Sequence, residues 1–177
     1  MSEPILHADA ADDARAEFPV KLIERVSARF IERVKAMAQR LNLQPLHLLA
    51  IMSFESGFSP SVRHRTSGAT GLIQFLPSTA EGLGTTTAEL ARMIAEDQLE
   101  FVEKYFAQFR RKFDTHNTLE DAYMAVLFPA AIGKGGGHVL FRQGTRAYAQ
   151  NRGLDVNRDG AVTVAEAASK VRARILA

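Results

Sequence analysis

The chain has 177 residues, a formal net charge of +2 and no cysteine. That length suits one domain with a sizeable core, the charge is too small for a nucleic-acid footprint, and the missing cysteines exclude disulfides. Hydrophobic residues make up 46% and charged residues 24%, an ordinary globular balance, and no apolar run reaches membrane-spanning length.

Residues 1–18 read as a polar, acidic lead-in with neither the basic n-region nor the apolar h-region of a signal peptide. From there Val20, Ile23, Val26, Phe30, Ile31 and Val34 recur at helical spacing. They predict an amphipathic helix over residues 20 to about 41, with Lys21, Arg25, Glu32 and Arg33 outside. Asn42 and Pro45 break it. Pro45 suits the first turn of a second helix, whose apolar residues Leu46, Leu49, Ala50 and Phe54 run up to Glu55 before Gly57 stops it. Glu55 thus falls in the last turn of a mostly buried helix. The negative end of the helix dipole disfavours a carboxylate there, and so do Phe54, Phe58 and Phe75. Most glutamates are solvated; one with these neighbours has its pKa pushed up, as a general acid requires.

A glycine-punctuated stretch, Gly68-Ala69-Thr70-Gly71-Leu72-Ile73-Gln74-Phe75, follows, and Pro77 opens the next helix. Thr86 and Glu89 have capping-box spacing, with Leu90, Met93 and Ile94 as the apolar face. Leu99, Val102, Phe106, Phe109 and Phe113 form another helical stripe, read as core, and Arg110-Arg111-Lys112 a solvated face. Thr118 to Asp121 caps a helix through Tyr123, Met124, Val126 and Leu127. Gly133-Lys134-Gly135-Gly136-Gly137 lacks the strand and residue order of a phosphate loop and reads as a connector. There is no internal repeat and no sustained period-two alternation, so the fold class is mainly α.

Residues 155–166, DVNRDGAVTVAE, fit the twelve-residue EF-hand loop throughout. Asp155, Asn157 and Asp159 supply oxygens at positions one, three and five. Gly160 permits the turn at six, Ala161 offers its carbonyl at seven, and Glu166 closes the loop at twelve. The bland alternative is an acidic turn before a capped helix, since Thr163 and Glu166 also form a capping box. A single copy with a short preceding helix near residues 145–151 points to a structural Ca2+ rather than a sensor.

Glu55-Ser56-x-Phe58-x-Pro60 and Gly68-Ala69-x-Gly71-Leu72-x-Gln74-Phe75-x-Pro77-x-Thr79-Ala80 together resemble the signature of the soluble lytic transglycosylase (SLT) domain, a family related to goose-type lysozyme. The resemblance implies a lysozyme-like catalytic domain over residues 19–143, with a small β element beside the cleft, around residues 68–75. Residues 144–177, the calcium loop and last helix, are expected to pack on the same domain. It further implies cleavage of peptidoglycan glycan strands by Glu55 as acid and base, with Ser56, Gly71, Gln74 and Phe75 near the substrate. Where the family carries a Tyr-Asn-Ala-Gly-like motif, this chain has Phe128-Pro129-Ala130-Ala131. Phe128 keeps the ring and loses the hydroxyl; Tyr123 and Tyr148 are the other tyrosines in this half.

The signature loop contains no second acid beyond Glu81, and Asp97, Asp114 and Asp121 are unmarked. A single acid fits the transglycosylase route, in which the substrate's own N-acetyl group or 6-hydroxyl completes the displacement and leaves a 1,6-anhydro end. A hydrolytic muramidase, a chitin-cleaving relative and a catalytically weak wall-binding module are the alternatives. The expected partners are peptidoglycan strands, with no nucleic acid and no membrane span. Without a signal peptide, the expectation is synthesis in the cytoplasm and delivery to the periplasm or cell wall by a phage particle, a lysis pathway or a secretion machine. His7, His47, His64, His116 and His138 lack zinc-ligand spacing, Ser53 and Ser56 lack triad partners, and Arg63, His64 and Arg65 read as a solvated basic loop.

Overall fold

The computed structural model describes residues 15–177; most of the polar lead-in, together with His7, lies outside the described residues. The helices are α1 (Val20–Ile23), α2 (Ala28–Leu41), α3 (Pro45–Ser56), α4 (Pro77–Gly82), α5 (Thr87–Leu90), α6 (Ala95–Ala107), α7 (Leu119–Leu127), α8 (Arg146–Asn151) and α9 (Val164–Leu176). Two short strands, β1 (Val139–Arg142) and β2 (Ala161–Thr163), pair antiparallel. The protein is mainly α, as its periodicity predicts. Among the described residues no helix is long and apolar enough to cross a membrane.

The continuous helix expected over residues 20–41 is instead two. The Ser27 hydroxyl accepts the Phe30 N–H at 3.0 Å and caps α2, while Ser27 itself is extended. A side-chain cap satisfies an amide that the start of a helix would otherwise leave unpaired, and spacing alone does not register it. Val20, read as apolar face, is 79% exposed on α1.

α3 is the axis of the core. Leu48, Leu49, Ala50, Ile51 and Met52 are all buried, so apolar residues surround the helix on every side, as expected of one enclosed by others. It packs against α2, α7 and α9, and α6 packs on α2. Gly57 closes α3 in the left-handed region at φ 59°, donating its N–H to the Ser53 carbonyl at 3.0 Å. The capping boxes anticipated at Thr86 and Thr163 form, and the cap anticipated at Thr118 is a capping box as well. α5 is only one turn long, however: Leu90 is buried while Ile94 stands exposed before α6.

The β element differs from expectation. Residues 68–75 form no hairpin but only the isolated bridges Arg63↔Thr70 and Thr70↔Phe75. Gly68, Gly71 and Gln74 all have positive φ, which coils the segment into tight turns. The sheet proper joins the chain after the glycine connector to the second half of residues 155–166, with Phe141 opposite Val162.

Candidate active site

Glu55 sits in the last turn of α3, where the sequence places it. Its carboxyl opens on a cleft of about 580 Å³. One side of the cleft is Phe54, Tyr123 and Leu127 from α3 and α7, with His64 from the signature loop; the other is Gln150, Asn151, Gly153, Leu154 and Lys170 from the C-terminal part of the chain. Burial pushes the Glu55 carboxyl up to about 7, against a smaller downward pull from the nearby Tyr123 hydroxyl. Tyr123 is itself raised, by burial first and then by the Glu55 charge. Phe54 meets the Tyr123 ring edge-on at 5.8 Å and fixes its plane. The apolar surroundings thus hold a carboxylic acid ready to give a proton near neutrality.

The signature loop is pinned from the core. Gln98 on α6 is fully buried. Its Oε1 accepts the Leu72 N–H at 2.6 Å, and its Nε2 donates to the Pro60 carbonyl at 3.0 Å and the Leu90 carbonyl at 2.9 Å. The glycine at 71 follows from this contact: a Cβ there would lie 2.3 Å from Gln98 Oε1. Ser56 Oγ donates to the Leu72 carbonyl at 3.0 Å and ties α3 to the same loop. Gln74 Nε2 donates to the Gly71 carbonyl at 3.2 Å, and Phe75 is buried edge-on to Tyr105.

The residues assigned to substrate therefore separate. Ser56, Gly71, Gln74 and Phe75 hold the loop behind Glu55 and do not line its cleft; Gln74 and Phe75 instead border a neighbouring cavity of about 60 Å³. Phe128 is also outside the cleft, 38% exposed and edge-on to Phe141 at 5.9 Å. The ring beside the acid is Tyr123, one helical turn earlier on α7, and it carries the hydroxyl that Phe128 lacks. The departure of Phe128-Pro129 from the family pattern thus falls away from Glu55. Sequence reasoning missed Gln98 and Lys170. A lone amide next to the apolar stripe of Leu99 and Val102 was the signal for Gln98. Lys170 carried none, because the segment it faces is far away in the chain.

Each candidate second acid has structural employment. Asp97 pairs with Arg33 at 3.7 Å and Asp114 with Arg110. Asp121 closes the α7 capping box and accepts the Gly133 N–H at 2.8 Å. Among the described residues, Glu55 is the one carboxylate lining the cleft.

Residues 155–166 fold as a tight loop between α8 and α9. Gly160 has φ 85°, a conformation glycine adopts without strain. Asp155 accepts the Arg158 N–H at 2.7 Å, the Gly160 N–H at 3.0 Å and the Tyr148 hydroxyl at 2.7 Å. Asn157 Oδ1 accepts from Asp159 N–H, Asp159 Oδ1 from Ala161 N–H, and Glu166 Oε1 from Asn157 N–H. The side chains at positions one, three, five and twelve thus face the loop's own backbone. Among the described residues no three acidic, histidine or cysteine side chains are gathered into a ready-made metal cage.

A helical domain with a half-buried glutamic acid at the end of its central helix, open to a cleft, has the lysozyme-like form. The protein-family model for the Transglycosylase SLT domain matches residues 32–130, more than half of the 177-residue chain, and the chain belongs to that family. The match spans Glu55, the signature loop and Tyr123, and stops before the other side of the cleft. No curated protein matches the chain significantly. At the level of the family, the substrate is peptidoglycan and the activity is of the lytic transglycosylase type.

Proposed function

We propose that Glu55 is the only acid/base of a peptidoglycan lytic transglycosylase and that the product carries a 1,6-anhydro end. The observation behind this reading is a single desolvated carboxyl, raised to about 7, in a cleft whose lining holds no second carboxylate. Glu55 gives its proton to the oxygen bridging a muramyl C1 to the next sugar. The C1–O bond breaks with its electron pair on that oxygen. The muramyl 6-hydroxyl oxygen then bonds to C1 and its proton passes to the Glu55 carboxylate, which restores the acid. The nearby Tyr123 hydroxyl tempers the rise that burial causes. A hydrolase would need a second group to activate water, commonly a carboxylate.

Glu55→Gln keeps the side chain's shape and removes the transferable proton. Muropeptide release from purified peptidoglycan should fall about 100- to 10,000-fold, and mass analysis of the wild-type products should show anhydro ends. Near-wild-type release by the variant would overturn Glu55 as the acid, whereas no release by the wild-type protein would leave a wall-binding module. Reducing ends carrying oxygen from labelled water would make the enzyme a muramidase.

We also propose that residues 155–166 bind Ca2+ through Asp155, Asn157, Asp159, the Ala161 carbonyl and Glu166. The donor set is all oxygen, which suits a hard cation, and the glycine sits at the turn. The ion would supply charge compensation for three carboxylates within twelve residues. It would stabilise the junction of α8, β2 and α9 and take no part in the proton transfer.

A further inference from the structure

The cleft does not end at Lys170. A second cavity of about 410 Å³ shares Gly153 and Lys170 with it and continues under α8. Its lining includes Arg152, Arg158 and Lys170, three cations. Among the described residues none of the three lies within ion-pair distance of a carboxylate, although eight other ion pairs are formed. The one acid facing this space is Asp155, and its oxygens already accept hydrogen bonds from Arg158 N–H, Gly160 N–H and the Tyr148 hydroxyl. Three unpaired cations in a recess attract an anion, and concave walls strengthen that field. All these residues lie beyond residue 130, where the family match ends.

We propose that this recess is a subsite for a carboxylate that the muramyl sugar carries outside its ring, with Lys170 at the junction reading it as the glycan lies against Glu55. The inference rests on the peptidoglycan reading of the cleft. Muramyl residues carry such groups, in the acidic stem peptide or, where the peptide has been removed, in the free lactyl acid; a chitin strand carries none. A glycan bound past Glu55 carries its substituents outside the sugar ring, and the recess adjoins the same cleft at Gly153 and Lys170. The structure favours the stem peptide, because about 410 Å³ is far larger than a single carboxylate requires. The recess would thereby select wall glycan over neutral N-acetylglucosamine polymers.

The test measures binding, so it does not depend on turnover. Calorimetric titration of the intact protein would use three disaccharides. The first is the GlcNAc-MurNAc-tetrapeptide, which has no MurNAc-GlcNAc bond left to cut; the second is the same disaccharide stripped of peptide; the third is neutral chitobiose. The paired variant Arg152→Gln with Lys170→Gln leaves Arg158 in its loop. It should bind the tetrapeptide disaccharide about tenfold more weakly than wild type, as loss of cations facing a substrate anion implies, with a much smaller loss on chitobiose and an unchanged melting curve. Lys170→Arg should retain most of the wild-type affinity, and raised salt should narrow the gap between wild type and the paired variant. A loss shared by the stripped disaccharide but not chitobiose would support the subsite and assign it to the lactyl acid. Equal losses on all three ligands, or no loss on any, would overturn it. Failure of the catalytic reading shows separately, as undiminished muropeptide release by Glu55→Gln.

Discussion

The cleft around Glu55 and the loop around Asp155 each contain a carboxyl influenced by a tyrosine hydroxyl, Tyr123 in one and Tyr148, which donates to Asp155 at 2.7 Å, in the other. The outcomes are opposite. Glu55 is pushed up to about 7 because burial outweighs the pull of the nearby hydroxyl. Asp155 is held below its ordinary range, by Tyr148 first and then, against some desolvation, by the backbone amides of Gly160, Arg158 and Asp159. A tyrosine partner therefore does not decide the charge of a carboxyl; the supply of further donors against the loss of water does. The same contrast runs through the surrounding chain. The signature loop is held from outside by Gln98, a neutral amide in the core, whereas residues 155–166 hold themselves with their own charged side chains.

The strongest way to break the comparison is at Gln98. Gln98→Leu fills similar space but leaves the Leu72 N–H and the Pro60 carbonyl unpaired, while the Leu90 carbonyl keeps the Met93 N–H. At about 1–3 kcal/mol for each of these two orphans, the loss should total about 2–6 kcal/mol. Chemical denaturation should show it, and an unchanged midpoint would mean that water replaces the amide.

The charged loop should respond to an ion instead. A ligand that binds only the folded form adds about 2.7 kcal/mol at a hundred times its dissociation constant. Chelator should lower the melting temperature and Ca2+ should restore it, while Asp155→Ala should melt at the chelated temperature with or without the ion. A melting curve indifferent to chelator, with no heat on calcium titration, would reduce the motif to an acidic turn.

A smaller effect separates the two carboxyls by pH. Glu55 has a folded-state pKa of about 7 against an ordinary 4.5. The folded state therefore holds the extra proton between those values, and stability contributed by the neutral acid is lost as pH rises through 7. Glu55→Gln should be more stable than wild type at pH 8, by about 1–2 kcal/mol after allowance for solvent at the cleft mouth, and indistinguishable at pH 4. Equal stability at both would mean that the carboxyl is better solvated than its surroundings indicate.

The smallest change is expected at Tyr123, whose nearby hydroxyl lowers the Glu55 pKa against the effect of burial. Tyr123→Phe should move the alkaline limb of the pH–rate profile upward while leaving a folded, active enzyme. A downward move would show that the hydroxyl favours the protonated acid.

Much of this was legible in the sequence because it is local. Gly57 stopping α3, the caps at Thr86, Thr118 and Thr163, and α9 starting at Val164 each depend on residues within one or two turns. Glu55 was legible for the same reason, since its own helix and the next few residues make it unusual. What was lost depends on partners far apart in the chain. Phe141 meets Val162, Gln98 reaches Leu72 and Pro60, and Lys170 shares a cleft with Glu55. The sequence offered Phe128 by motif offset and left Tyr123 and Tyr148 open as other rings; the structure puts Tyr123 in the lining of the Glu55 cleft and Phe128 outside it. A motif offset names a position in a pattern, whereas the ring that reaches Glu55 is set by the rotation of α7 against α3.

The packing of α9 on α3 also bears on how the protein is made. The helix that carries the acid occupies residues 45–56, and the helix that covers it residues 164–176. During synthesis that face of α3 waits until more than a hundred further residues have been added. Contacts so distant in the chain form late, and a chain emerging from the ribosome cannot bury Leu48 to Met52 completely before α9 is available. The far side of the cleft, with Leu154 and Lys170, arrives in the same final stretch. A nascent chain thus carries Glu55 long before it has a site around it, and both walls of its cleft are present only once α9 has been made.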